Sequence, residues 1–184
     1  MTITVTGLFD RYEDAEAAVR GLESTGISSG DISIVANNGN NHYKTAAGED
    51  AGTGAGVGAA VGGVGGLLTG LGLMAIPGVG PVVAAGWLAA TAAGAVAGAA
   101  VGGAAGGIVG SLTKEGVAEN DAHVYAEGVR RGGTLVTARV PEARAAEARA
   151  IINRNKTIDI AQRGADYRAA GWNRFDAGGP PFIG

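Results

Sequence analysis

Residues 54–81 read GAGVGAAVGGVGGLLTGLGLMAIPGVGP, and this stretch decides how the rest of the chain is interpreted. Small residues recur in it at every fourth position, namely Gly54, Gly58, Gly62, Gly66 and Gly70. Because residues four apart lie on one face of a helix, this row predicts a helix with a groove that carries no side chains. Such a groove lets two helix backbones approach closely, as in the helix pairs of membrane proteins.

A second row of small residues follows a turn rich in proline and glycine. The turn spans residues 76–81 and contains Pro77, Gly78, Gly80 and Pro81, which do not continue a helix. The second row consists of Gly86, Gly94, Gly98, Gly102, Gly106 and Gly110, with Ala90 in the gap. Together the rows predict a glycine-zipper hairpin of two helices, at residues 54–76 and 82–112. Its glycines are the predicted surface for helix packing and self-association.

No charged residue occurs from Ala51 to Thr113, which we call the charge-free stretch. At about 1.5 Å per residue, its first helix is roughly 35 Å long and exceeds a hydrocarbon core of ~30 Å. In water, each glycine disfavours a helix by about 1 kcal/mol relative to alanine. In a bilayer, no water is present to hydrogen-bond the backbone, so the chain must form a helix to pair its own N–H and C=O groups. We therefore expect transmembrane helices, with both polar parts of the chain on the same side of the membrane.

The alternative is a soluble homo-oligomer in which several such hairpins form a shared core. It stays open because glycine and alanine are much less apolar than leucine, so the drive to enter lipid is modest.

The first polar part, residues 1–36, predicts a strand, a helix and a second strand. Residues 2–6 and 31–36 alternate between apolar and polar side chains, which is typical of strands. Between them, Ala15, Ala18, Val19 and Leu22 give one apolar helix face, and Gly26 is placed to end that helix. Asp10, with Glu13 three residues later, indicates a capping box at the start of the helix.

The second polar part, residues 114–162, repeats this order after an additional helix at 119–131. It predicts a strand at 134–140, a helix at 143–153 and a last strand at 157–161. Two βαβ halves indicate an α+β, ferredoxin-like sheet of four antiparallel strands with both helices on one face. The apolar residues expected under those helices are Ile3, Val5, Ile32, Ile34, Val136, Ala138, Ile158 and Ile160.

The remaining segments are a polar linker at residues 37–50 and a C-terminal tail at 163–184. The linker is rich in asparagine and glycine. The tail contains Tyr167, Trp172 and Phe175, which either dock onto a neighbouring surface or belong to a partly disordered end.

The composition argues against several classes of function. The net charge is −3 and no basic face is evident, so nucleic acid is not an expected partner. The chain has no cysteine, which excludes disulfides and thiolate metal sites. Its two histidines, His42 and His123, are isolated from other candidate ligands and catalytic groups. We therefore expect no enzyme activity, no catalytic residue, no cofactor and no metal site.

Four stretches carry a resemblance to a known bacterial family. They are residues 7–18, residues 32–36, the turn and its flanks at 70–81, and residues 116–136. Over roughly residues 3–162, the chain resembles the general stress protein 17M-like proteins, including those named low temperature-induced protein. The resemblance implies a stress-linked, often membrane-annotated protein without an established catalytic activity, and it supplies no catalytic residues.

The sequence thus predicts a non-enzymatic stress-response protein that is membrane-associated and self-associates through its glycine rows. Its expected partners are other copies of itself and membrane lipid. Its expected location is the bacterial inner membrane, with the polar domain on the cytoplasmic side. The alternatives are the soluble homo-oligomer, located in the cytoplasm, and a ligand-sensing ferredoxin-like module.

Overall fold

The computed structural model describes residues 1–39, 67–76, 78–91 and 107–179, and these form an α+β fold around one antiparallel sheet. The fold class is therefore confirmed. The strands are β1 (Thr2–Phe9), β2 (Ile32–Asn37), β3 (Gly72–Ile76), β4 (Gly80–Gly86) and β5 (Thr134–Pro141). They lie in the order β1-β5-β2-β4-β3, and every neighbouring pair is antiparallel.

Helices cover both faces of this sheet. In chain order they are α1 (Tyr12–Ser24), α2 (helical residues 87–91), α3 (Gly107–Lys114), α4 (Glu119–Arg130), α5 (Ala145–Arg154) and α6 (Ile160–Ala169). Short 3₁₀ turns occur at Ser29–Asp31, Leu67–Gly70 and Glu142–Arg144.

The first face of the sheet packs against α1 and α5. Strand residues at alternate positions point to this face because side chains alternate along a strand. They are Ile3, Val5, Ile32, Ile34, Val136 and Ala138, which are packed with the apolar faces of both helices. The predicted layer under the two helices is therefore confirmed for these six residues, as is the position of α1 and α5 on one face.

The second face packs against α2, α3 and α4. Leu8, Val35 and Leu135 project from the strands into a separate cluster with Leu88, Leu112 and Val129 from these helices. The helices make a third layer that the ferredoxin-like prediction did not contain.

The predicted last strand at 157–161 is wrong. Residues 156–159 are irregular, and α6 begins at Ile160. Asp159 is the reason, because its carboxylate accepts the N–H groups of Ala161 and Gln162 and so caps that helix. Ile158 and Ile160 pack against the second cluster instead of the layer under α1 and α5. The four-stranded ferredoxin-like arrangement is therefore not confirmed.

The helical hairpin is not confirmed: residues 87–91 and 107–112 of its second helix are helical, but the described residues next to its turn are not. Residues 72–76 and 82–86 were expected at the ends of two helices, but they lie in β3 and β4, which pair through a register that joins Ile76 to Gly80. The chain reverses direction between β3 and β4, where Val79 N–H donates to the carbonyl of Ile76 at 3.0 Å. β4 continues the sheet beside β2, so the turn lies within the α/β domain. Within the described ranges, no helix combines the length and apolarity needed to cross a membrane.

The expected capping box at α1 does not form. Arg11 precedes the helix and makes no side-chain cap, whereas Asp10 pairs with Arg163 of α6 at 3.0 Å. The predicted end of the helix is confirmed, because Gly26 follows it with a φ of +81°.

Candidate functional site

The sequence assigned self-association to eleven glycines, and the structure describes three of them. Gly70 closes the 3₁₀ turn after Leu67, Gly86 ends β4, and Gly110 is buried in α3. The other glycines of the two rows lie outside the described residues: Gly54, Gly58, Gly62, Gly66, Gly94, Gly98, Gly102 and Gly106. Only Gly110 is thus found in the predicted setting, a helix.

Gly86 has a different role from the predicted one. Its φ is +87°, and an added Cβ would overlap the carbonyl oxygen of Ile32 and lie 2.8 Å from the Cα of Ser33. The close approach that this glycine permits is therefore between β4 and β2, two strands of one sheet. The assignment of Gly86 to a helix-packing groove is wrong.

The hairpin turn contacts the C-terminal tail. Of the predicted turn residues, Gly80 and Pro81 begin β4, and Gly78 has a φ of +76°, while Pro77 lies outside the described residues. A Cβ on Gly78 would lie 2.7 Å from the Cα of Ala177 and 2.9 Å from the ring of Phe175. The part of the tail that the structure describes therefore docks onto the turn, as the first of the two predictions made for it expected.

Aromatic side chains hold the tail in place. Tyr167 and Phe175 are 6% and 7% exposed, and Phe175 belongs to the second hydrophobic cluster. Tyr167 meets Trp172 edge to face at 5.6 Å and lies under the guanidinium of Arg131 at 4.4 Å. These contacts fix α6 and the residues after it to α4.

Glu23 anchors the point at which the charge-free stretch rejoins the fold. Its Oε1 accepts the backbone N–H of Leu67 and the hydroxyl of Ser29, each at 2.7 Å. Leu67 itself is 7% exposed and packs into the first cluster. The sequence interpretation did not single out Glu23, because a lone glutamate near a helix end is usually solvated.

A small cavity lies between the start of α4 and the tail. Its volume is about 240 Å³, and it is lined by Glu119, Asn120, His123, Arg168, Trp172, Asn173 and Arg174. That volume is below the roughly 300 Å³ at which small-molecule pockets begin. Among the described residues, no cluster of histidine and carboxylate side chains is placed to hold a metal ion.

His123 at this cavity connects stability to pH. Its side chain is 12% exposed, and burial together with the Arg174 guanidinium lowers the pKa of His123 below 6.5. The unfolded chain therefore binds the proton more readily than the folded chain does. The contribution of His123 to the free energy of unfolding is fully present above pH ~6.5 and is lost as the pH falls below that value.

We expect wild type to lose more stability than His123→Gln between about pH 7.5 and about pH 5.5, because only wild type contains the depressed pKa. Urea unfolding of both proteins at the two pH values measures this difference. His42 is present in both proteins, so its titration cancels. Equal losses would contradict the assignment to His123.

Comparison with known proteins gives a family match for the first part of the chain. A family model described as the heat induced stress protein YflT domain matches residues 4–75. Neither the curated proteins nor the solved structures gave a match. The matched residues include all but the first two residues of β1, then α1, β2 and all but the last residue of β3. Residues 4–75 are thus similar to the heat induced stress protein YflT domain, and the resemblance of this chain to a general stress protein family of bacteria is confirmed.

Proposed function

We propose that this chain is a non-enzymatic stress-response protein that works by assembling with copies of itself. The match to a stress-protein domain supports the stress-response role. The α/β domain is the rigid support in this proposal, and the glycine-rich segments 54–66 and 92–106 are the contact surfaces.

One observation favours helix packing by the second segment. The described residues on both sides of it are helical, at 87–91 and in α3 from Gly107. Gly110, the last member of the row, is buried in α3. The segment 92–106 is therefore flanked by helical residues on both sides, although Gly86, the first member of the row, lies in β4.

The test compares large residues on and off the glycine rows. We expect Gly62→Leu and Gly98→Leu to weaken assembly, because a side chain in the groove separates the backbones and removes dispersion contacts over several turns. Val61→Leu and Val96→Leu add volume on other faces and should assemble nearly as wild type does. Native mass measurement of the four variants compares them. If the glycine variants assemble normally and the valine variants fail, the glycine rows are not the contact surface.

The location at the bacterial inner membrane, with the α/β domain on the cytoplasmic side, is a separate proposal. The turn at 76–81 lies in the sheet, so membrane contact must come from the remaining parts of the charge-free stretch. Carbonate washing of membranes from native cells tests it, since an integral protein stays in the pellet. Release of the protein into the wash would favour the alternative of a cytoplasmic homo-oligomer.

A further inference from the structure

β3 forms one edge of the sheet. The hydrogen bonding of Pro81 in the neighbouring strand β4 shows which backbone groups of β3 face outward. Ala75 lies opposite Pro81, which has no N–H to donate and whose carbonyl accepts from Asn38 of the chain after β2 at 2.8 Å. Pro81 therefore directs its backbone towards β2, and Ala75 and Pro81 are a non-hydrogen-bonded pair. Since such pairs alternate along an antiparallel ladder, Leu73 and Ala75 both direct their N–H and C=O groups away from β4.

Among the described residues, this edge has none of the features that usually protect an edge strand. Natural edges carry charges, proline or a covering segment, because an open row of N–H and C=O groups pairs with other strands. The residues of β3 are uncharged and contain no proline, and Leu73 is 49% exposed. Leu73 and Met1 are the large apolar side chains exposed among the described residues.

The opposite edge of the sheet is different. At β1, the N–H of Ile158 donates to the carbonyl of Leu8 at 2.8 Å, so the segment before α6 covers the end of that strand. Within the described part of the chain, no corresponding bond reaches the outer side of β3. The two edges thus differ in how open they are to another strand.

We propose that β3 pairs with β3 of a second copy of this chain, antiparallel and about a two-fold axis at Met74. Leu73 of one copy then lies opposite Ala75 of the other, and each such pair exchanges N–H···O bonds in both directions. The sheets of the two copies join into one continuous sheet. This inference rests on the proposed self-association and adds a contact surface on the folded domain.

We expect a second copy of this chain to bind the β3 edge because the edge is complementary to itself in hydrogen bonding, charge and side-chain size. The outward donors and acceptors at Leu73 and Ala75 are related by the two-fold axis, so each finds a partner. The edge carries no charge, so two copies do not repel each other. The exposed Leu73 side chain meets the small Ala75 side chain of the other copy on the same face, which buries it without a clash.

Single cysteines test the register, since the chain contains none of its own. In the proposed pairing the two Met74 residues form a non-hydrogen-bonded pair with Cα atoms about 4.5 Å apart, within disulfide range. The two Leu73 residues are diagonal neighbours about 7–8 Å apart, beyond that range. We expect mild oxidation of the full-length protein to give covalent dimers with Met74→Cys and several-fold fewer with Leu73→Cys. Equal yields, or more dimer from Leu73→Cys, would overturn the register.

A charge on the edge tests the surface itself. Leu73→Lys places two ammonium groups near the axis of the dimer while leaving an exposed side chain in the monomer, so we expect at least a ten-fold weaker association. The matched control is Thr2→Lys at an exposed position on β1, the other edge strand. Native mass measurement of wild type and both variants reads the result.

The outcomes separate this inference from the proposed function. Wild type that is monomeric at all concentrations refutes both. Assembly that Leu73→Lys leaves unchanged in size and affinity refutes the β3 contact and leaves self-association through the glycine rows intact. Assembly that Leu73→Lys weakens but Gly62→Leu and Gly98→Leu leave unchanged supports β3 and refutes the glycine rows. If wild type stays monomeric but captures an added β3 peptide, the open edge binds a peptide and not a second copy, which again overturns the proposal.

Discussion

Gly86→Ala is expected to lower the free energy of unfolding by about 3 kcal/mol or more. The residue has a φ of +87°, a conformation that costs an L-residue roughly 1–2 kcal/mol. In addition, the new Cβ would overlap the carbonyl oxygen of Ile32 and lie 2.8 Å from the Cα of Ser33. Both are backbone atoms of the neighbouring strand, so relief requires β4 to move away from β2 and loosens their hydrogen bonds.

Gly171→Ala is the matched control for this prediction. Gly171 has the same φ of +87°, but nothing lies within 4 Å of an added Cβ. We therefore expect about 1 kcal/mol of destabilisation there, from the backbone alone. Urea unfolding followed by circular dichroism gives both values. Equal losses in the two variants would mean that the contact between β4 and β2 relaxes freely, and that the close approach at Gly86 is not needed.

The two polar parts of the fold could be predicted because their apolar spacing has one interpretation. Ala15, Ala18, Val19 and Leu22 fit one face of a helix, and all four are buried in α1. Residues 2–6 and 134–140 alternate as strands, and they pair directly in the sheet. Here local pattern and tertiary packing favour the same structure, and these elements form within a few residues of their predicted bounds. The strand predicted at 157–161 is the exception, because Asp159 caps α6 there.

The charge-free stretch could not be resolved in the same way. Glycine every fourth residue is compatible with a helix groove, but glycine itself has no preference for helix. Residues 80–86 form a strand because they pair with the edge of β2, and residues 72–76 pair with them in turn. A local sequence pattern does not specify such tertiary context. A signal was present, since Val82 and Val83 follow a proline-glycine turn and favour a β-hairpin.

The candidate surface was missed for a related reason. The sequence of residues 72–76 does not indicate which strand lies at the edge of a sheet. Leu73 and Ala75 were therefore not predicted as contact residues. The edge follows only once β4 is placed between β3 and β2. The direction of the free backbone groups then follows from one residue, Pro81, whose carbonyl accepts the N–H of Asn38 and therefore points away from β3.

Glu127→Ala is expected to lower the free energy of unfolding by about 3 kcal/mol. The side chain is fully buried in α4, and it accepts from Arg131 Nε at 2.6 Å and from Arg130 Nη1 at 3.2 Å. Removing one partner of a buried ion pair typically costs about 3–5 kcal/mol, and the partial exposure of both arginines places this case at the lower end. Arg131 also covers Tyr167, so its release weakens the contact between α4 and α6.

The control is an ion pair with similar geometry and much greater exposure. Asp10 accepts from Arg163 at 3.0 and 3.1 Å, but its side chain is 64% exposed. We expect Asp10→Ala to cost at most about 1 kcal/mol, because water replaces the lost partner and screens the charges. Glu127→Gln should fall between the two alanine variants, since it keeps the volume and one acceptor oxygen but loses the charge. Urea unfolding of the three variants gives the order, and a loss for Asp10→Ala as large as that for Glu127→Ala would show that burial is not what makes the Glu127 contacts strong.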